Sequence, residues 1–409
     1  MRILLILACT AGCSRSSGDV LSARQLPAAI QADAAVIAQA NNQFACDLYA
    51  RLAAQDGNVF VSPFSISTAM AMVDAGAAGN TDAELRAALH VTLPGERTHA
   101  AYGALIDSLD TGRSYGGYTL ATADRLFGQR GLPFSPGFLA TTRTDYRAEL
   151  MPVDFHDNVE VARTTINAWV ADQTEHRITE LLPSGALDPA TVLALVNAIV
   201  FQGTWASPFD LAATQSAPFQ LAEGTAVQAP MMHQSEIVST AAIDGGELAV
   251  LPFAGNDLSM VLAVPDLPGG LPAIEAQLSA DAIARWIATA QPGQQPIGVV
   301  IPKFEISGTV DLATVLEQLG ITSAFEPDVA DFSPIDGAHD LYLQHVQHRA
   351  VIAVDEHGAT AAAATGATIG PASAPAPFVA DRPFVFFIYD HVTRSVLFLG
   401  RLADPTRPA

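Results

Sequence analysis

Serine, histidine and cysteine are the residues through which this chain could do covalent or metal chemistry, and their spacing is not arranged for it. Serine is plentiful and there are ten histidines, yet no Gly-x-Ser-x-Gly elbow is read that would lift a serine into reach of a base. His345 and His348 stand three apart in a segment that reads as strand. Their side chains would face opposite sides and cannot share a metal. No cysteine or carboxylate cluster supplies other ligands at recognisable spacing, so neither a metal nor a cofactor is expected. Catalysis by this chain is not expected either. Among the cysteines, Cys46 lies in Ala34 to Leu52, a helical pattern with Val36, Ala40, Phe44, Leu48 and Leu52 on one side, and reads as a small packing residue.

The elements around these residues are mixed. Ser65 to Ala77 reads as an apolar helix, and Asn80-Thr-Asp-Ala-Glu84 as a capping-box start for a helix reaching Leu89. Another helix falls within Asp154 to Gln173. Thr191 to Phe201 is a long apolar run of the kind that marks a strand buried on both faces. Val299 to Pro302 and Leu341 to Val354 complete the strand-like candidates. Half of the 409 residues are apolar, and no linker, charge block or repeat divides the chain after residue 35. One domain over 35–405 is the reading.

The stretch that stands out is Glu356-His-Gly-Ala-Thr-Ala-Ala-Ala-Ala-Thr-Gly-Ala-Thr-Ile-Gly-Pro-Ala372. Between Ala359 and Gly370 it has no charge, no proline and nothing larger than Ile369. In a strand, Ala359, Ala361, Ala363, Thr365, Ala367 and Ile369 would face one side and Thr360, Ala362, Ala364, Gly366, Thr368 and Gly370 the other. Neither face carries anything costly to bury. The prolines, which would break a ladder, wait outside at 371, 375 and 377. An exposed alanine-rich loop or a short helix is equally compatible with this composition.

The chain beyond the alanines narrows the choice. Phe378 to Asp390 and Ser395 to Arg401 are aromatic and β-branched runs separated by a polar turn, the pattern of a buried hairpin. With this hairpin behind it, the alanine-rich segment resembles the reactive-centre loop of the serpin family. The family pattern is a Glu-x-Gly-x-x-Ala-Ala-Ala-Ala-Thr hinge, then Arg-Pro-Phe-x-Phe-x-Ile and Phe-Leu-Gly-Arg strands. Further matches occur in order from about 35 to 405: Asn58-Val-Phe-Val-Ser-Pro-Phe-Ser-Ile66, Ile166-Asn-Ala-Trp-Val170, Ile178-Thr-Glu-Leu-Leu-Pro183, Leu195-Val-Asn-Ala-Ile199, Gly203-Thr-Trp205, Pro230-Met-Met232 and Pro302-Lys-Phe304.

The resemblance implies an α+β fold: a large mixed central sheet, two further sheets, a cluster of helices and an exposed reactive-centre loop over 356–380. It implies an inhibitory hinge made of Glu356, Gly358, Ala359, Thr360, Ala361, Ala362, Ala363, Ala364 and Thr365. Ala359 stands where many inhibitory members carry Thr or Ser, and Thr360 where they carry Glu; both are small and uncharged. His357 could make insertion pH-sensitive. Lys303, Glu356 and Trp205 match the breach, where insertion begins. Ser62, Ser65, Asn197 and His348 match the shutter, a hydrogen-bonded group under the middle of the sheet. Taken alone, Ser62 before Pro63 could simply cap a helix, and His348 could be a satisfied core histidine.

The spacing from Glu356 to Pro383 resembles that of inhibitory relatives, and this likeness implies a scissile bond at Ala372–Ser373, with Ala367 and Ile369 as alternatives. The partner implied is a serine protease with a small primary pocket, elastase-like or subtilisin-like, held as a covalent acyl complex through the Ala372 carbonyl. A non-inhibitory serpin serving as a binding or carrier protein is the competing class.

The formal charge is −22 and Lys303 is the sole lysine. Nucleic acid or glycosaminoglycan binding needs clustered Lys and Arg. The stretch from Pro94 to Asp110, which corresponds to the family's polyanion-binding helix, has only Arg97, so neither partner is expected, and a monomer is. The first thirteen residues, Met-Arg-Ile-Leu-Leu-Ile-Leu-Ala-Cys-Thr-Ala-Gly-Cys, resemble a bacterial lipoprotein signal in which Cys13 would be acylated. An ordinary secretory signal is the other reading. Either predicts export, to the cell envelope or outside, with 14–34 as a flexible tether.

Overall fold

The structure is a computed structural model, and it describes residues 24–113, 117–344, 346–358 and 375–407. The leader with Cys13, the hinge from Ala359 onward, the Ala372–Ser373 bond and His345 lie outside the described residues. The helices among them are α1 (Gln31–Leu52), α2 (Pro63–Asp74), α3 (Gly79–Ala88), α4 (Gly95–Arg113), α5 (Pro136–Asp145), α6 (Val159–Gln173), α7 (Leu271–Glu275), α8 (Ala280–Thr289), α9 (Ala313–Gln318) and α10 (Ser333–Asp336).

Three sheets carry the strands. A seven-stranded antiparallel sheet runs β1 (Val59–Val61), β16 (Ser395–Leu402), β15 (Phe384–Asp390), β9 (Leu258–Pro265), β8 (Gly246–Pro252), β7 (Ser239–Ile243), β10 (Gln291–Pro292). A four-stranded sheet runs β14 (Phe378–Val379), β11 (Ile297–Pro302), β6 (Ala226–Glu236), β5 (Gln215–Gln220). The third is five-stranded and mixed: β12 (Phe304–Asp311), β13 (Gln347–Val354), β4 (Leu193–Gly203), β2 (Tyr118–Gln129), β3 (Met151–Val153).

The carboxyl-terminal hairpin forms as its aromatic and β-branched sequence predicts. All residues of β15 and β16 are buried, and Phe398 stacks on Phe60 with ring centroids 5.3 Å apart. Every residue of α2 is buried too, including Ser65, Ser67, Thr68 and Asp74 among its apolar neighbours. Its start is fixed by Pro63 in the first turn and by the Ser62 side chain accepting from the Ser65 N–H. In β4 successive residues alternate between two cores. Leu195, Ile199 and Phe201 belong to the main core, while Val196, Ala198 and Val200 pack with Ile166 and Val170 of α6. That alternation aims Asn197 toward α2 and leaves α6 lying across the other face.

The structure corrects several sequence expectations. Residues 24–34 are not a flexible tether: Arg24 is buried, Leu26 packs on the core, and α1 already begins at Gln31. In α1, Ala40, Phe44 and Leu48 of the expected face are buried and Leu52 packs on the core, but Val36 is 37% exposed and its neighbour Ile37 is buried in its place. The capping box at Asn80 to Glu84 does not form. The N-cap is Ala78, and Glu84 accepts from the Thr322 and Ser323 N–H groups at 2.8 and 2.7 Å, capping a neighbouring turn. Leu341 to Gln344 is not strand, and β13 starts only at Gln347. A Gly-x-Ser-x-Gly string does occur, at 112–116, contrary to expectation. It joins a helix to a strand, the reverse of a strand-to-helix elbow, and Ser114 lies outside the described residues.

Candidate functional site

The mixed sheet has a seam. β13 and β4 run parallel, paired from Gln347↔Val196 to Ile352↔Phe201, and each has an antiparallel neighbour on its outer side, β12 and β2. Parallel ladders are slightly less stable per residue than antiparallel ones. The breach residues stand at one end of this seam and the shutter residues near the other, at its second register pair.

At the breach end, β13 stops at Val354 and the chain reverses at once. The Asp355 N–H donates to the Gly358 carbonyl at 2.8 Å and the Gly358 N–H returns to Asp355 at 3.2 Å, closing a two-residue turn. Gly358 then forms an antiparallel bridge with Thr204, just past the end of β4. Its φ of 129° lies in the region that favours glycine, and a Cβ there would collide with the Gly203 carbonyl oxygen. The turn reverses the direction of the backbone at the end of the seam.

Glu356, in the turn, is pinned. Its Oε2 accepts from Lys303 Nζ at 2.9 Å and its Oε1 from the Thr214 hydroxyl at 2.8 Å. The Glu356 side chain is 3% exposed and that of Lys303 43%. Burial pushes the Glu356 carboxyl up, but hydrogen bonds from Lys303, its own backbone and Thr214, together with the lysine charge, outweigh it and leave the group below its ordinary range. Trp205 closes the corner. Its indole N–H donates to the Asp355 carbonyl at 2.9 Å, and its ring stacks on Phe253 at 4.7 Å with 7° between planes. Such a pair adds about 1 kcal/mol beyond area burial.

The shutter residues meet where β13, β4 and α2 touch. His348 and Asn197 are register partners across the seam. The Ser62 N–H donates to His348 Nε2 at 3.2 Å, which leaves Nδ1 to carry the proton toward Asn197 Oδ1 at 2.6 Å. His348 is fully buried, and burial depresses its pKa to about 3, so it is neutral at physiological pH. Asn197 Nδ2 donates to Ser65, at the carbonyl (3.0 Å) and the hydroxyl (2.7 Å). Ser62 serves both of its readings: its oxygen caps α2, and its hydroxyl donates to the Leu397 carbonyl at 2.7 Å.

A residue the sequence reading missed completes the group. Asp124 of β2 is the register partner of Asn197, and its Oδ1 accepts from Asn197 Nδ2 at 2.6 Å. Burial pushes its pKa up to about 7, against the opposing hydrogen bond from Asn197. The signal was a lone carboxylate in an otherwise apolar strand run, Leu120-Ala-Thr-Ala-Asp124. Thr214 left no signal, because its meeting with Glu356 spans 142 residues.

Cys46 is buried and its thiol is pushed up to about 12 by burial, as suits a packing residue. Among the described residues no group of three or more His, Cys, Asp or Glu could hold a metal ion.

Known proteins resemble the chain over nearly all of this architecture. Residues 39–405 match the family model described as serpin (serine protease inhibitor). The leukocyte elastase inhibitor of Bos taurus is 41% identical over 380 residues, covering 90% of this chain and 99% of that protein. The Homo sapiens leukocyte elastase inhibitor is 38% identical with the same coverage. Among solved structures, uncleaved ovalbumin superposes with a TM-score of 0.82 at 30% identity, over 90% of this chain and all of that one. Human thyroxine-binding globulin superposes with a TM-score of 0.82 at 31% identity, over 92% and 100%.

Proposed function

Because the chain belongs to the serpin family, a family of protease inhibitors and not of proteases, we propose that it is an irreversible suicide-substrate inhibitor of serine endopeptidases. Its targets are elastase-like or subtilisin-like enzymes. The observation that carries the reading is the parallel β4–β13 seam with a return turn already bridged to its end at Gly358. A segment continuing from that turn would enter between the two strands antiparallel to both. The twelve residues Ala359–Gly370 suit the space, since β4 has 11 residues and nothing in the segment is charged or large. Replacing one short parallel ladder by two antiparallel ones gains roughly a dozen backbone hydrogen bonds, on the order of 10 kcal/mol. The uninserted state is then held kinetically.

In the reaction, the protease serine oxygen attacks the Ala372 carbonyl carbon and the Ala372–Ser373 amide breaks. Ser373 leaves as a new amine, taking the proton from the protease's own general acid. The freed loop inserts and carries the acylated protease with it, distorting the active site before water can hydrolyse the ester. A small residue at 372 suits a small primary pocket, and the likeness to leukocyte elastase inhibitors supports the same class. Mixing the protein with pancreatic elastase or subtilisin should give a covalent complex that survives SDS, and with trypsin little or none. Cleaved loop with fully active protease and no complex would sink the reading. It would favour the carrier alternative, which draws on the likeness to thyroxine-binding globulin. Export with acylation at Cys13 belongs to the same proposal; palmitate labelling that is equal in wild type and Cys13→Ala would refute the anchor.

A further inference from the structure

Ahead of residue 39, where the family match begins, the chain makes a contact that a tether would not need. The Arg24 side chain is 0% exposed. Its Nε donates to the Ser108 carbonyl at 2.8 Å and its Nη2 to the Ser108 hydroxyl at 3.0 Å. Nη1 and Nη2 also fork onto Asp390 at 3.1 and 2.9 Å, and Asp257 lies 3.8 Å from Nη1. Taking a guanidinium out of water is offset only by partners of this quality, so the position of residue 24 is strongly fixed.

The partners sit on two separate bodies. Ser108 belongs to the last turns of α4, and the next carbonyl, Leu109, accepts from the Tyr118 hydroxyl at 3.0 Å. Tyr118 opens β2 and pairs with Gly203, the end of β4 beside the breach. Gly112 lets the three meet, since a Cβ there would strike both Tyr118 and Arg24. Asp390 and Asp257 belong to the seven-stranded sheet, at the end of β15 and in the turn between β8 and β9. Opening the seam for one more strand must move β4, with β2 beside it, about 4.8 Å away from β13. Arg24 ties the β2 side, through α4, to the seven-stranded sheet.

We propose that residues 24–30 form a strap, with Arg24 as its buckle, that holds α4 and the start of β2 against the seven-stranded sheet and slows opening of the β4–β13 seam. The proposal rests on the insertion reading. Releasing the strap makes the seam easier to enter. Two full-length forms test this. One is Arg24→Met. The other carries the recognition sequence of a site-specific cysteine protease within the exposed Pro27–Ala29 turn and is cut after folding, so that misfolding cannot confuse the result.

The measured quantity is the rate at which a synthetic peptide of residues 359–370 anneals into the uncleaved protein, followed by the rise in melting temperature. Cutting the strap or losing Arg24 should raise that rate roughly tenfold, because a buried pair broken on one side loses more than a tenfold rate change requires. The melting temperature of the loop-cleaved, already inserted form should not move. An unchanged annealing rate on cutting, or equal destabilisation of both forms, would overturn the strap and leave the insertion reading intact. If the wild type neither anneals the peptide nor gains stability on loop cleavage, the insertion reading falls and the strap with it.

Discussion

The two polar groups along the β4–β13 seam hold it by different means. The breach uses charge and a turn: Lys303 and Thr214 pin Glu356, and Gly358 bridges Thr204. The shutter uses neutral donors and acceptors in a dry layer: His348, Asn197, Ser62 and Ser65, with Asp124 at the edge. A charge left unpaired at the shutter would be far costlier than one at the breach, where Lys303 still reaches water. On the insertion reading proposed above, the difference separates direction from release: the breach would set where a strand enters, and the shutter how easily the two central strands part.

The sharpest way to break this division is Gly358→Val. A β-branched residue would be strained at φ 129° and would meet the Gly203 carbonyl, so we expect a loss of about 4 kcal/mol from strain and overpacking together. With the turn displaced, the SDS-resistant complex should give way to cleaved loop and free protease, while far-UV circular dichroism stays native. An unchanged yield of complex would mean that the turn does not direct the chain into the seam.

Next in size is Asn197→Ala, which leaves the His348 Nδ1 proton and the Ser65 hydroxyl without their buried partner. Urea unfolding of the uncleaved protein should show a loss of about 3 kcal/mol. Under the same division, Glu356→Gln, which leaves only the half-exposed Lys303 unpaired, should change this quantity much less.

Local pattern made part of this legible. The β15–β16 hairpin announced itself through unbroken aromatic and β-branched runs, and α2 through Ser62-Pro63 ahead of an apolar stretch. Lys303 and Glu356, and likewise Asn197 and His348, were singled out only because whole motifs around them resembled a family; their spacing carries no geometric information. What stayed hidden depends on chain closure in three dimensions. Glu84 reaches out of its own helix to a turn 238 residues away, and Arg24 finds Asp390 across 366. A polar amino-terminal stretch reads as tether until a carboxylate from the other end of the chain buries its arginine.

The pH dependence sharpens the shutter further. Asp124 has its pKa raised to about 7, so above that pH the folded state carries a poorly solvated carboxylate, and its cost is relieved as pH falls toward the unfolded value near 3.8. His348, depressed to about 3, acts the other way. The unfolded chain takes up its proton below about 6.5, so stability is lost as pH falls from there toward 3. Asp124→Asn should therefore stabilise the uncleaved protein by about 2 kcal/mol at pH 8 and by less than half of that at pH 5. A gain independent of pH would show that Asp124 does not titrate in this window.

The smallest expected effect belongs to the breach pair. Glu356→Gln keeps an acceptor for Thr214 and removes the attraction to a lysine that is 43% exposed, so the loss at pH 7 should be about 1 kcal/mol. Its sign with pH is opposite to that of Asp124. The Glu356 pKa is lowered on folding, so its contribution is present above the unfolded carboxylate range and disappears as pH falls through the folded value. Wild type and Glu356→Gln should thus differ in melting temperature at pH 7 and converge as pH falls through the lowered folded-state value. Because the pair is partly open to water, 1 M salt should shrink the difference at pH 7, whereas the loss from Asn197→Ala at pH 5, where Asp124 is protonated and the group carries no charge to screen, should stay the same. Equal salt sensitivity in both variants would erase the distinction between a charged breach and a neutral shutter.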